Sequence, residues 1–325
     1  MISLEGKVAV ITGAGRGIGR AHALTLARLG ARVVVNDLGG DWDGHGSDPR
    51  PAQAIKAEIE RQGGQASANH GNVADPTDAS ALIEQALDTY GRLDILVNNA
   101  GILRDRMLVN MTDEDWDAVV NVHLRGHFLP TRAACRHWRT QAKARGCGVG
   151  GRLIHTSSES GLYGNAGQAN YDAAKAGIAS FGVAVAREVG RYGVTSNVVA
   201  PRARSRMMEM TYGELTADGG FDRWDPAHVS SLLAYLCCDE AAHITGQVFV
   251  VGGGVLQILA GFAPAWELRL DRPLDPDTIG GELLSAFDGR DSIPPPLPDL
   301  GLAPATSPSL RAGGDRTPAG SVDGR

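Results

Sequence analysis

Runs of basic residues are missing from this 325-residue chain, whose net charge is −6, so nucleic acid is not expected as a partner. Cysteine is scarce. Cys135, Cys147, Cys237 and Cys238 form neither a CxxC pair nor a metal-binding spacing. The adjacent pair lies in an apolar helical pattern, and all four read as reduced thiols of a cytoplasmic protein. His123 and His127 stand four apart with no third ligand in view, which reads as structure, and no metal is expected. A signal peptide is not expected either, because Lys7 leads directly into a strand. There is no internal repeat. Uninterrupted apolar runs of membrane length are also lacking. Val248 to Trp266 comes nearest, but Gly252, Gly253, Gly254 and Pro264 break it. It reads as a buried last strand followed by an apolar segment packed on the body or on another subunit, with no membrane span.

What the chain does have is alternation. Short β-branched runs at Val8–Thr12, Arg32–Asn36, Gln65–Asn69, Leu93–Val97, Arg152–Thr156, Val194–Val199 and Gln247–Val251 alternate with helical patterns. This order predicts an α/β fold, a doubly wound parallel sheet covered on both faces with right-handed connections. Thr112 to Arg145 reads as one long helix or two, opened by Thr112 with acidic residues in the first turn. The catalytic domain is expected over residues 1–265. An extension over 266–288 has one short helix (Asp277 to Phe287), and a Pro- and Gly-rich tail over 289–325 is expected to be disordered.

The first strand runs into Gly13-Ala-Gly-Arg-Gly-Ile-Gly19 and then a helix. Glycines at 13, 17 and 19, with Arg16 and Ile18 between them, permit a tight turn and a close approach of backbone to a pyrophosphate at the helix N-terminus. Asp37 follows the second strand, about twenty positions on, where a carboxylate accepts both hydroxyls of an adenosine ribose and repels a 2′-phosphate. Asp37 argues for NAD over NADP, while Arg16 in the turn pulls the other way. The stretch Leu38 to Arg50 either covers the adenosine end or is mobile. Asn72-Val73 lies where an adenine edge would be met. Asn98-Asn99-Ala100-Gly101 ends the fourth strand, where small residues let the backbone lie against a cofactor ring and Asn side chains also tie loops together.

Tyr171 and Lys175, four apart in a helical run, share a helix face. A free phenol titrates near ~10 and needs a cation to become a base near neutrality. Lys175 is the candidate cation. Ser158 ends an apolar run and returns to the same point through a Gly-rich turn, which completes a device for moving the proton of an alcohol or carbonyl. Asn121, in an apolar helical pattern, either bends the helix and holds a water or is a satisfied core amide. Met207, Met208 and Met210 form either a substrate lid or a plain crossover loop. Arg202, Arg204 and Arg206 either meet phosphates or make a solvated basic edge.

TGAGRGIG at Thr12–Gly19, NNAG at Asn98–Gly101, Asn121, Ser158 and the Tyr171-x3-Lys175 spacing together resemble the short-chain dehydrogenase/reductase family over residues 4 to about 255. The resemblance implies a single Rossmann-type domain with a seven-stranded parallel sheet, a small-molecule substrate, and a homodimer or homotetramer. It also implies four catalytic residues. Tyr171 is the acid/base and contacts the substrate, and Lys175 lowers its pKa and holds the nicotinamide ribose. Ser158 binds the reacting oxygen, and Asn121 positions a relay water. Pro201 and Ser205 join the cofactor contacts. NDLGGD at Asn36–Asp41, NNAGILRDR at Asn98–Arg106, HLRG at His123–Gly126 and GLYGNAGQANYDAAK at Gly161–Lys175 are similar to the (3R)-hydroxyacyl-CoA dehydrogenase units of peroxisomal multifunctional enzymes. That likeness implies NAD and a 3-hydroxyacyl thioester. Two positions depart from the family: Asn72 replaces the usual Asp, and Arg202 the usual Gly after Pro201. A sterol, terpenoid or xenobiotic alcohol dehydrogenase is the rival within the family. A non-catalytic NAD-binding regulator is the rival outside it.

Overall fold

The computed structural model describes residues 2–205, 208–209, 213, 220–262, 266–269 and 276–286. Strands β1 (Val8–Thr12), β2 (Arg32–Asn36), β3 (Ala66–Asn69), β4 (Ile95–Asn98), β5 (Arg152–Thr156), β6 (Thr195–Arg202) and β7 (Val248–Gly252) are parallel. Their order is β3-β2-β1-β4-β5-β6-β7, and β8 (Val255–Leu259) closes that edge. β1 and β5 are buried along their whole length, as strands covered on both faces must be.

Helices α1 (Gly17–Arg28), α2 (Arg50–Arg61) and α8 (Ala227–Cys237) cover one face. Their Leu26, Ile55, Ile59 and Leu233 pack with Val33, Val35 and Ile95 of the strands. Helices α3 (Pro76–Tyr90), α5 (Gly126–Arg145) and α7 (Ala169–Val189) cover the other. There Leu82, Ile83, Val185 and Trp138 meet Val8, Val10, Leu96 and Leu153. The Trp138 indole also donates to the Leu93 carbonyl at 2.8 Å, which satisfies its polar edge inside the core. The remaining helices are α4 (Asp113–Val120), α6 (Glu159–Tyr163) and α9 (Pro276–Ala286).

Two expectations change. The sheet has eight strands, not seven, and β8 is antiparallel to β7. The glycines that break the apolar stretch after residue 248 make a hairpin turn: Gly254 has φ +80, and a Cβ on Gly253 would fall 2.3 Å from Arg223 Cα. The apolar residues after the turn are therefore an open edge strand, with Leu256 and Ile258 59% and 64% exposed, not a segment packed on the body. The Thr112–Arg145 run is two helices, the second of the two readings open for it. α4 carries a capping box between Thr112 and Asp115, and a wide π turn over Asn121–Arg125 joins it to α5. Such turns carry an extra residue and re-aim the side chains after them. The tail over 289–325, Arg206, Met207 and Met210 lie outside the described residues.

The strand order reverses between β1 and β4, so the crevice of this sheet opens at their C-terminal ends.

Candidate active site

A cleft of about 300 Å³ lies at those strand ends. Gly13, Arg16, Gly17, Ile18, Gly19, Asp37, Asn72, Val73, Asn99, Ala100, Gly101, Ser158, Tyr171, Lys175, Pro201 and Ser205 all line it. The glycines of the first turn are required by different neighbours. A Cβ on Gly19 would fall 2.1 Å from the Gly13 carbonyl oxygen, and one on Gly13 2.8 Å from Ala100 Cα. Gly17 has φ +51 and open space where a side chain would project. The first turn of α1 has no side-chain cap, so its N–H groups are available to an anion. The donor set therefore fits the pyrophosphate of a dinucleotide.

Asp37 is fixed at the next strand end. One of its carboxylate oxygens accepts from the Gly15 N–H at 2.7 Å and the other from the Gly39 N–H at 2.7 Å. Arg16 donates to the Gly40 carbonyl at 3.4 Å. The segment after Asp37 is folded and not a free loop. Leu103 N–H donates to the Trp42 carbonyl at 2.9 Å, Arg104 Nε donates to the Asp43 carbonyl at 2.9 Å, and Leu38 to Trp42 wall the cleft. Asn72 Oδ1 accepts from the Ala74 N–H at 2.9 Å, so its side chain caps its own turn. Asn99 Nδ2 donates to the Thr12 and Gly13 carbonyls at 3.0 and 3.1 Å. It ties β1 to β4, and the Asn99 N–H donates to Thr12 Oγ1 at 2.9 Å.

Ser158 caps the N-terminus of α6, its hydroxyl accepting from the Ser160 N–H at 3.2 Å. It also shares a side-chain hydrogen bond with Tyr171. Lys175 is buried one helical turn below, with Nζ 5.5 Å from the Tyr171 ring centre and donating to the Thr156 carbonyl at 2.7 Å. Burial pushes the Tyr171 phenol up to about 12, against the Ser158 hydrogen bond, with Asp105 and Asp172 adding to the rise. Burial also brings Lys175 down to about 7. Desolvation penalises the charged form of each group, so it holds the phenol protonated and eases the ammonium toward neutrality. Without bound ligand the pair is set as a proton donor.

Asn121 does not reach this site. It is exposed on the outside of the π turn, in a shallow groove with Arg104, Glu114, Asp117 and Arg125. The residue that faces Tyr171 is His123, whose ring meets the phenol ring edge-on at 5.1 Å and 89°. Sequence reasoning set His123 aside as structural, although the HLRG match contains it. Gly101 exists for this contact, since a Cβ there would fall 2.3 Å from the His123 ring. Arg202 and Arg204 are not a solvated edge. Arg202 makes a bidentate pair with buried Glu159, both contacts at 2.6 Å, and Arg204 pairs with Asp222 at 3.0 Å. The Arg202–Glu159 pair ties the end of β6 to the residue after Ser158.

A family model described as short chain dehydrogenase matches residues 7–214. The chain belongs to this family. As a short-chain dehydrogenase it is an oxidoreductase of CH–OH groups that works with a nicotinamide cofactor. It is 48% identical over 294 residues to hydroxyacyl-CoA dehydrogenase ChsB1 of Mycobacterium tuberculosis, covering 89% of this chain and 90% of that one. It is 42% identical over 285 residues to the mouse peroxisomal multifunctional enzyme type 2, covering 86% of this chain but only 36% of that longer protein. The crystal structure of a short chain dehydrogenase from Mycobacterium avium superposes with a TM-score of 0.78 at 45% identity, over 90% of this chain and 98% of that one. Among the described residues, no helix of this dehydrogenase is long and apolar enough to cross a membrane.

Proposed function

We propose that this dehydrogenase interconverts (3R)-3-hydroxyacyl and 3-oxoacyl thioesters with NAD, and that Tyr171 is its acid/base. The observation that carries the reading is the meeting of Ser158, Tyr171 and Lys175 in one cleft with Asp37. Two named relatives, a hydroxyacyl-CoA dehydrogenase and a multifunctional enzyme, favour the thioester class. Asp37 favours NAD, because its fixed carboxylate suits ribose hydroxyls and repels a phosphate. The nicotinamide, when bound, supplies or accepts the hydride. In the reducing direction the Tyr171 phenol donates its proton to the carbonyl oxygen, which the Ser158 hydroxyl orients. In the oxidising direction Tyr171 must first lose that proton, and Lys175 provides the positive charge that favours the phenolate. The four cysteines are unpaired thiols, in keeping with a cytoplasmic enzyme, and the open β8 edge suits assembly into a homodimer or homotetramer.

The test is NADH and NADPH turnover by purified protein on 3-hydroxyacyl-CoAs of both hands, beside sterols and simple secondary alcohols. Oxidation of the (3R) thioesters with NAD, lost in Tyr171→Phe by a factor on the order of 10² or more, is the expected result. Turnover of sterols or small alcohols alone would remove the thioester from this reading.

A further inference from the structure

Glu159 follows Ser158 and is buried, yet the proposed reaction gives it no role. A carboxylate is seldom buried unless it is paired. Its partner is Arg202, at the end of β6, and both residues line the cleft. Arg202 Nε and Nη2 each donate to one carboxylate oxygen at 2.6 Å, and the two side chains are only 16% and 8% exposed. Such a fork-on-fork contact fixes two groups in one relative orientation. A buried ion pair adds little to stability over an apolar pair of similar volume, and its best attested use is to specify one arrangement.

The chain on either side of Glu159 is held by other means. Ser157 N–H donates to the Val199 carbonyl at 2.8 Å, and the Ser157 hydroxyl donates to the Lys175 carbonyl at 2.8 Å. From Gly161 onward α6 lies directly on α7, where a Cβ on Gly161 would fall 2.5 Å from Lys175 Cβ. Between these two anchors stand Ser158, Glu159 and Ser160, the cap and first turn of a five-residue helix. A helix so short does not hold itself. The Ser158 hydroxyl accepts from the Ser160 N–H at 3.2 Å and shares a hydrogen bond with Tyr171. Neither bond ties this turn to the sheet. The Glu159–Arg202 contact does.

Arg202 is itself firmly placed. It stands opposite Gly252 in the β6–β7 pairing, and a Cβ on Gly252 would fall 2.5 Å from Arg202 Cβ. Just beyond it, Arg204 N–H donates to the Trp224 carbonyl at 2.7 Å, and the Ser205 hydroxyl accepts from the Met208 N–H at 3.2 Å. Ser205 and Met208 line the cleft, as Ser158 does. The ion pair therefore joins the turn that carries Ser158 to the strand end that leads into Ser205 and Met208.

We propose that Glu159 and Arg202 are positioning residues, whose pair sets the Ser158 hydroxyl against the Tyr171 phenol and keeps it in register with the wall that carries Ser205 and Met208. They act on the reaction through Ser158. The hydrogen bond with Ser158 opposes the rise that burial causes in the Tyr171 pKa. Once Ser158 is loosened the phenol is harder to ionise, and oxidation, which needs the phenolate, requires a higher pH.

The inference rests on the proposed roles of Ser158 and Tyr171, and the test separates the two. Removing one partner strands a buried charge and endangers the fold, so the main variant is the double change Glu159→Gln with Arg202→Met. In it kcat for oxidation falls on the order of tenfold or more, the pH profile of oxidation moves to higher pH, and NADH affinity followed by fluorescence holds. Arg202→Lys, which keeps the charge but not the fork, shows the same shift with a smaller loss. In a Ser158→Ala background the double change costs nothing further, because effects that pass through one group are not additive. Full kcat in the double variant, a loss carried by weaker NADH binding, or an equal further loss in the Ser158→Ala background overturns the proposal and leaves the proposed reaction standing. Full kcat in Ser158→Ala alone overturns the role of Ser158 in that reaction, and this inference with it. A crystal structure of the double variant decides the point without turnover. The Ser158 hydroxyl moved off the Tyr171 phenol is the expected result, and an unmoved contact overturns the proposal whatever substrate the enzyme takes.

Discussion

Replacing Lys175 by Met is expected to make the ligand-free protein more stable while abolishing most of its activity. Lys175 is 3% exposed, and burial brings its pKa from 10.5 to about 7. In the unfolded chain the lysine regains its ordinary value, so between pH 7 and 10.5 the unfolded state binds more protons. Stability therefore rises with pH across that window, and the full cost of burying the charge is felt below pH 7. At ~1.4 kcal/mol per pH unit the fall in pKa corresponds to ~5 kcal/mol, of which ~4 kcal/mol applies at pH 7. Methionine has similar volume and removes that cost. It also removes the hydrogen bond to the Thr156 carbonyl, leaving a buried acceptor at ~1–3 kcal/mol. The net expectation at pH 7 is a gain of ~1–3 kcal/mol. Urea unfolding of both proteins without cofactor, at intervals from pH 6 to 9, measures it. The wild-type curve should climb toward the variant's as pH rises. Equal midpoints at pH 7 with parallel pH dependence would refute the argument that burial holds this lysine near neutrality.

Asp37→Ala removes the acceptor of the Gly15 and Gly39 N–H groups together with the charge that opposes a 2′-phosphate. NAD should bind on the order of tenfold more weakly, and the NAD-to-NADP ratio of kcat/KM should fall; an unchanged ratio would end the use of Asp37 as the selector. Asn121→Ala, on the exposed side of the π turn, should leave kcat and its pH profile as they are. Trp138→Ala empties the α3–α5 side of the core and orphans the Leu93 carbonyl. It should cost ~3–5 kcal/mol in denaturant unfolding, and a loss under ~1 kcal/mol would show that the site collapses or fills with water.

The sheet and the main site were readable because both use short local signals. A β-branched run before a glycine turn marks β1, and one helical turn between Tyr171 and Lys175 puts both on one face. β8 was hidden because Val255 to Leu259 continues an apolar run, and only the paired glycines at 253 and 254 mark the reversal. The misplacement of Asn121 has a simpler cause. Val119 and His123 are both buried and stand four apart, and Gly126 and His127 continue their face. A residue two positions from each of Val119 and His123 must point to the opposite side. The pattern therefore assigns the inward position to His123. The Arg202–Glu159 pair had no sequence signal, since partners 43 positions apart meet only once β6 lies beside β5.

The hairpin at the sheet edge also decides at which end of the sheet β8 finishes. In the seven parallel strands the chain arrives at the cleft, and Gly252, paired with Val255, is the last such arrival. β8 then runs back until Leu259 lies beside Val248, a retreat of ~3.3 Å per residue. Leu259 therefore lies beside the start of β7, at the end of the sheet away from the cleft. A surface anchor or reporter joined just after that strand would start from the far side of the sheet and leave the mouth of the site facing outward.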